Sequence, residues 1–230
     1  MRTFPLQLMR GFKSFRGAKA KAGSYQHSRL AIDGQKPEVL VIACCDSRVT
    51  PELIFSADPG SLFVVRNVAN LVPPPTHDDR NLSTAAAIEF AVTGLHVRHI
   101  VVLGHARCGG IKAAVDNVDG QKSTSAVSRW MNWLPKTVHD DAHNHAHDHD
   151  FHDDGEVLTR CSHDHKYRAV EEAGIRQSVN NLMLYDYVRE GVEFGKLTLH
   201  GSWFDIEKGE LWVMDGLTKV FHWTDGVDFK

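Results

Sequence analysis

Three side chains able to hold a soft dication stand at or just beyond the ends of apolar runs in this 230-residue chain: Cys44, His105 and Cys108. Cys44 closes the run Val39-Leu-Val-Ile-Ala, and His105 follows His99-Ile-Val-Val-Leu-Gly, with Cys108 a short step further on. If the two runs are neighbouring strands, the three converge, and two thiolates with one imidazole make a zinc site. Three protein ligands leave the fourth tetrahedral position open, as in catalytic zinc centres. A structural zinc would want a fourth ligand, for which only Cys45 or Asp46 is close in sequence. Adjacent side chains on an extended strand point opposite ways, which leaves Cys45 out of the ligand set. Taken singly, each thiol reads as a small buried hydrophobe. Asp46 and Arg48, two apart, share a face and can pair; on a plain surface such a pair contributes little, but beside a metal it has an orienting role.

The elements that must position these groups read as follows. Val39 to Ala43 and His99 to Leu103 show no alternation and are rich in β-branched residues, as in strands buried on both faces of a parallel sheet. In open α/β sheets ligands sit beyond the carboxyl ends of the strands, where Cys44 to Arg48 fall. Leu62 to Val65 reads as another strand, and Pro51 opens a short helix to about Phe55. Ala85, Ile88, Val92 and Leu95 make one stripe of a helix crossing over to the His99 strand, and that β-α-β order implies a parallel sheet. Gly109-Gly110 opens a helix at Ile111 whose free amides suit an anion. Arg66 and Asn67 read as support for the rim of the site. A helix from Tyr167 carries Ile175, Val179, Leu182 and Met183 on one face. Leu197 to His200, Trp203 to Ile206, Leu211 to Asp215 and Val220 to Thr224 read as closing strands, with a hairpin at Glu207-Lys208-Gly209.

The predicted fold is therefore α/β: a single domain with a central, mainly parallel β-sheet flanked by helices, plus an N-terminal helical arm. Residues 1–34 form the arm and 35–230 the zinc-binding catalytic domain, a length that buries roughly 70% of the unfolded surface. In the arm, Phe4, Leu8, Phe12 and Phe15 recur at helical spacing among Arg10, Lys13, Arg16, Lys19 and Lys21. Packing of this stripe on the chain's own core is favoured over a membrane surface. Residues 139–165 break the pattern, with His139, His143, His145, His147, His149, His152, His163 and His165 among aspartates. Such a composition cannot build a core, so a mobile surface loop is expected, with Cys161 in it and with weak capacity for an extra metal ion. A net charge of -3 gives no case for nucleic-acid binding, and no apolar span near 18 residues suggests a membrane partner. Four cysteines, two of them adjacent, do not make a disulfide framework; a reducing, cytoplasmic setting is expected.

Cys44-Cys-Asp-Ser-Arg48, then Phe63-Val-Val-Arg-Asn-Val-Ala-Asn70, then His105-Ala-Arg-Cys108, in that order, resemble the β-class carbonic anhydrase family. The resemblance runs from about Leu6 to the C-terminus, interrupted by the His/Asp-rich segment. It implies one catalytic Zn2+ per chain and reversible hydration of carbon dioxide to bicarbonate and a proton, with a zinc-bound hydroxide as nucleophile. It further implies that Asp46 orients that hydroxide, while Arg48 holds Asp46 off the metal. By the same resemblance Gln35 matches a glutamine that donates to substrate and Phe63 an apolar wall residue. Phe90 falls where many relatives carry tyrosine, and Gly109 and Gly110 would take bicarbonate. Val41 stands where one branch carries the tryptophan of an inhibitory bicarbonate site, which argues against that regulation. Self-association as a dimer or tetramer is implied, the arm reaching a partner subunit. Relatives with the same ligands hydrolyse carbonyl sulfide or carbon disulfide, an alternative activity; outside enzymes, zinc storage or metal sensing through the His-rich loop is the competing reading.

Overall fold

The computed structural model describes residues 4–22, 26–75, 82–116, 125–135 and 155–226. The chain divides into two compact units, Met1–Lys36 and Pro37–Lys230. The first holds α1 (Leu6–Ala22) and α2 (Gln26–Asp33). Phe12 and Phe15 stack with ring centroids 6.4 Å apart, and Phe15 meets the His27 ring edge-on at 5.5 Å. The apolar stripe of α1 is not buried as expected: Phe4, Leu8, Phe12 and Phe15 are all exposed. Gln35 belongs to this unit, following the turn at Gly34, whose φ of 76° lies in the left-handed region that glycine reaches without strain.

The second unit runs β1 (Val39–Cys44), α3 (Pro51–Ile54), β2 (Leu62–Asn67), α4 (Leu82–Glu89), β3 (His99–His105), α5 (Gly109–Asp116), α6 (Ala126–Met131), α7 (Gly155–Leu182), α8 (Asp186–Glu193), β4 (Thr198–Asp205), β5 (Glu210–Met214) and β6 (Phe221–Thr224). The strands form one sheet in the order β2-β1-β3-β4-β5-β6. The pairings from β2 through β4 are parallel, and the last two are antiparallel. Absence of alternation in β1 has its predicted cause, since Leu40 and Ile42 enter one core cluster while Val41 and Ala43 enter another. The first of these clusters is capped by Ile88 of α4, by Ile175, Val179 and Leu182 of α7 and by Val188 of α8. Among the described residues no helix is long and apolar enough to cross a membrane.

Three elements depart from the sequence reading. α4 does not run on unchanged through Val92; it passes into a π turn at Phe90–Gly94, which keeps Ala91 buried while leaving Phe90 exposed. α7 starts at Gly155, ahead of Tyr167, so the end of the expected loop is helical backbone. Residues 139–154 of that segment lie outside the described residues, as do the side chains of Cys161, His163 and His165. The two strands expected around residues 197–206 are one, β4, unbroken through Gly201 and Ser202.

That continuity has a packing cause. A Cβ on Gly201 would sit 2.9 Å from Ile175 Cγ2, and one on Gly104 of β3 would sit 2.6 Å from Ile175 Cδ1. Ile175 therefore rests on two neighbouring strands through positions with no side chain. Gly104→Ala is expected to lower stability by about 1–3 kcal/mol through overpacking. The loss should appear as a fall in denaturant midpoint, and trimming Ile175 to Val in the same chain should recover part of it. An unchanged midpoint would mean that α7 shifts freely over the sheet.

Candidate metal centre

Cys44 ends β1 and His105 ends β3, two strands paired side by side, so the parallel register delivers both to one edge of the sheet. Cys108 follows at the entry to α5. The donor atoms of the three residues lie within 4.8 Å of one another, and all three residues are buried. The sulfurs of Cys44 and Cys108 are 3.9 Å apart. Bonds of about 2.3 Å to a tetrahedral zinc would set two sulfurs about 3.8 Å apart. His105, only 1% exposed, lies against the Ala106 carbonyl through Nδ1 at 2.9 Å, which fixes the tautomer with the proton on Nδ1. Its Nε2 is buried with no hydrogen-bond partner. An orphaned buried acceptor costs about 1–3 kcal/mol, and a bound cation removes that cost. The thiols point the same way: a hydrogen bond from Cys108 pulls the Cys44 thiol down to about 4, while that contact and burial push Cys108 up. Sharing a proton is what two close thiols do without a cation, and a dication would let both ionise. The residues present fit zinc.

Asp46 and Arg48 stand beside this trio, joined as expected. Arg48 Nε donates to Asp46 Oδ1 at 2.9 Å and Nη2 to Oδ2 at 2.8 Å, with the Arg48 amide adding a third bond at 3.0 Å. Those bonds from Arg48 hold the Asp46 carboxyl well below the usual carboxylate range, so it is ionised and can only accept. Arg48 Nη2 also donates to the Arg107 carbonyl at 3.1 Å. Arg107, between two of the donors, has φ of 58°. A residue with a side chain gives up about 1–2 kcal/mol in that region. Cys45 is exposed and outside the trio.

The rim is built by Arg66 and Asn67, as the sequence reading had it. Arg66 donates to three carbonyls, those of Cys44 at 2.8 Å, Asp46 at 2.6 Å and Val49 at 2.8 Å, and so fixes the chain through the Asp46 turn. Asn67 brackets Leu71, accepting its amide and donating to its carbonyl, both at 2.9 Å. Between them Ala69 and Asn70 hold φ values of 62° and 48°. Gly110 serves close approach to this segment, since a Cβ there would lie 2.7 Å from Val68 Cγ1; Gly109 faces open space. Phe63 and Phe90 touch each other with ring centroids 5.9 Å apart. Phe63 packs with the cluster under Leu40 and Ile42 rather than with the cluster containing Cys44 and Cys108, and Phe90 is 51% exposed.

One residue of the site has no counterpart in the sequence reading. Glu171 of α7, 5% exposed, accepts the Cys108 amide at 3.0 Å. Burial pushes its carboxyl up, while the amide of Cys108 and the indole of Trp203 pull it back. The signal was present: Glu171 lies four residues before Ile175, so an acid stands on the apolar stripe of a helix.

A buried Cys-His-Cys trio thus stands at the carboxyl edge of an open α/β sheet, flanked by an arginine-locked aspartate. Residues 39–211 match the carbonic anhydrase family, and the chain belongs to it, in the β class. It is 36% identical over 193 residues to Beta carbonic anhydrase 5, chloroplastic, of Arabidopsis thaliana, covering 83% of this chain and 59% of that protein. Against Beta carbonic anhydrase 6, mitochondrial, of the same plant, identity is 36% over 198 residues, covering 85% of this chain and 62% of the relative. The chain thus spans about three-fifths of the length of these curated relatives. Among solved structures, the β-carbonic anhydrase CcaA superposes with a TM-score of 0.77 at 28% identity, covering 96% of this chain and 92% of that one. A tetrameric β-carbonic anhydrase from the filamentous ascomycete Sordaria macrospora gives 0.72 at 29%, covering 90% and 95%.

Proposed function

We propose that the protein catalyses reversible hydration of carbon dioxide to bicarbonate and a proton, with one zinc ion held by Cys44 Sγ, His105 Nε2 and Cys108 Sγ. The observation that carries the reading is the unpartnered, buried Nε2 of His105 facing two thiols at ligand spacing. When bound, the zinc supplies a Lewis acid that activates water, and two thiolates weaken that activation relative to the pKa of about 7 reached with three neutral imidazoles. Asp46 does the orienting: ionised and fixed by Arg48, it offers only acceptor lone pairs, so a reacting water must present its hydrogen there and its own lone pair elsewhere. Arg48 keeps that carboxylate from becoming a fourth ligand. The amides at Gly109 and Gly110 form a resting place for bicarbonate in this proposal. The relative from Sordaria macrospora is described as tetrameric, and the incompletely covered sheet face lined by Val39, Val101, Leu211 and Val213 supports self-association here too. A reducing, cytoplasmic setting suits a centre built on thiolates.

Stopped-flow hydration of carbon dioxide by the zinc-loaded protein tests the reading. The rate is expected to rise from neutral to alkaline pH. Asp46 adds no inflection, because a carboxyl with a depressed pKa is already ionised across that window. A flat profile would count against the thiolate argument, and no rate with one zinc bound would turn the assay to carbonyl sulfide.

A further inference from the structure

The hydration chemistry makes no use of Glu171, yet its carboxylate is buried directly behind a metal-site thiol. Oε1 accepts the Cys108 amide at 3.0 Å and Oε2 accepts the Trp203 indole N–H at 2.9 Å. The neighbouring guanidinium of Arg168 pairs with Glu172 at 2.9 Å and stacks on Trp203 and Trp212, its carbon 4.3 and 4.1 Å from the ring centroids. Trp203 is thereby clamped from two sides, and Glu171 with it. Glu171 in turn grips a turn whose middle residue, Arg107, is in the left-handed region without being glycine. That turn faces two ways. Its Cys108 amide goes to Glu171, and its Arg107 carbonyl receives Arg48 Nη2 at 3.1 Å, the same guanidinium that fixes Asp46.

We propose that Glu171 is a positioning residue for the metal centre: its carboxylate locks the Arg107–Cys108 turn, holding Cys108 Sγ at ligand distance and presenting the Arg107 carbonyl that seats Arg48 on Asp46. The inference rests on the reading that Cys44, His105 and Cys108 hold zinc. Hydrogen-bonded groups behind metal ligands commonly set affinity by roughly 10- to 100-fold.

The test is zinc release to a chelator from the full-length, zinc-loaded protein. Glu171→Gln keeps the size but brings an NH2 against N–H donors, and it is expected to release zinc roughly 10- to 100-fold faster than wild type. With cobalt in place of zinc, the thiolate-to-cobalt absorption should change as Cys108 Sγ moves. Arg107→Gly in the Glu171→Gln chain should restore much of the retention, because glycine holds the left-handed turn unaided. Wild-type release and an unaltered cobalt spectrum in Glu171→Gln, even with a lowered melting temperature, would overturn the proposal. Should that variant not fold, Glu171→Asp, which withdraws the carboxylate by one methylene, carries the same expectation and the same overturning result. A wild-type chain that binds no zinc would overturn the metal reading itself, and this inference with it.

Discussion

Cys108→Ser is expected to bring carbon dioxide hydration down to the uncatalysed rate and to leave the chain without tightly held zinc. The substitution barely changes shape at a buried position, 2% exposed, so the fold should survive. What changes is charge: a serine hydroxyl does not ionise near neutral pH, and one thiolate with one imidazole cannot neutralise a dication in a buried site. Stability separates the two effects. A ligand present at 100 times its dissociation constant adds about 2.7 kcal/mol to the folded state. Wild type should therefore melt higher with zinc than after chelation, whereas Cys108→Ser should melt at one temperature in either condition, close to the chelated wild type. Metal analysis and stopped-flow hydration complete the measurement. A serine variant retaining one zinc and a measurable rate would place the third ligand elsewhere.

Much of this centre was legible because its parts end apolar runs. Val39 to Ala43 carries its own evidence of two-sided burial in the lack of alternation, and a parallel partner puts Cys44 and His105 at the same edge. The Asp46–Arg48 pair was legible from spacing alone. Other features were hidden for identifiable reasons. Gly201-Ser202 looks like punctuation between two strands, but the glycine is there because Ile175 approaches the sheet too closely for a Cβ. Gly110, read as an anion site, answers equally to the crowding of Val68. The first turns of α7 carry only the short apolar set Val157, Leu158 and Cys161, which the surrounding His- and Asp-rich composition masks as a helix signal. Glu171 was overlooked because acids on helices are read as solvated, although its register with Ile175 said otherwise. Phe90 falls midway between Ile88 and Val92 in sequence, on the side of the helix away from their stripe, and is exposed accordingly.

The locked carboxylate yields the other large expected effect. Arg48→Ala removes both side-chain bonds to Asp46 and the link to the Arg107 carbonyl, leaving only the backbone amide at 3.0 Å to restrain the carboxylate. As an ordinary exposed ion pair the loss would be about 0–1 kcal/mol, hardly visible in stability. Beside a zinc centre the consequence is catalytic. Without the guanidinium the Asp46 carboxyl loses the main contact that depresses it and climbs back toward the usual carboxylate range, still below neutral, so the freed group remains an anion and is drawn to the open metal position. Hydration is expected to fall roughly 10- to 100-fold or more while zinc stays bound. Arg48→Lys should recover little, since an ammonium cannot bond both oxygens and the carbonyl in one plane. Removing the carboxylate as well separates capture from lost orientation. If capture dominates, Asp46→Ala/Arg48→Ala will be no slower than Arg48→Ala alone; if orientation dominates, the double variant will be slower still. A rate for Arg48→Ala within twofold of wild type would show that Asp46 keeps its place without the arginine.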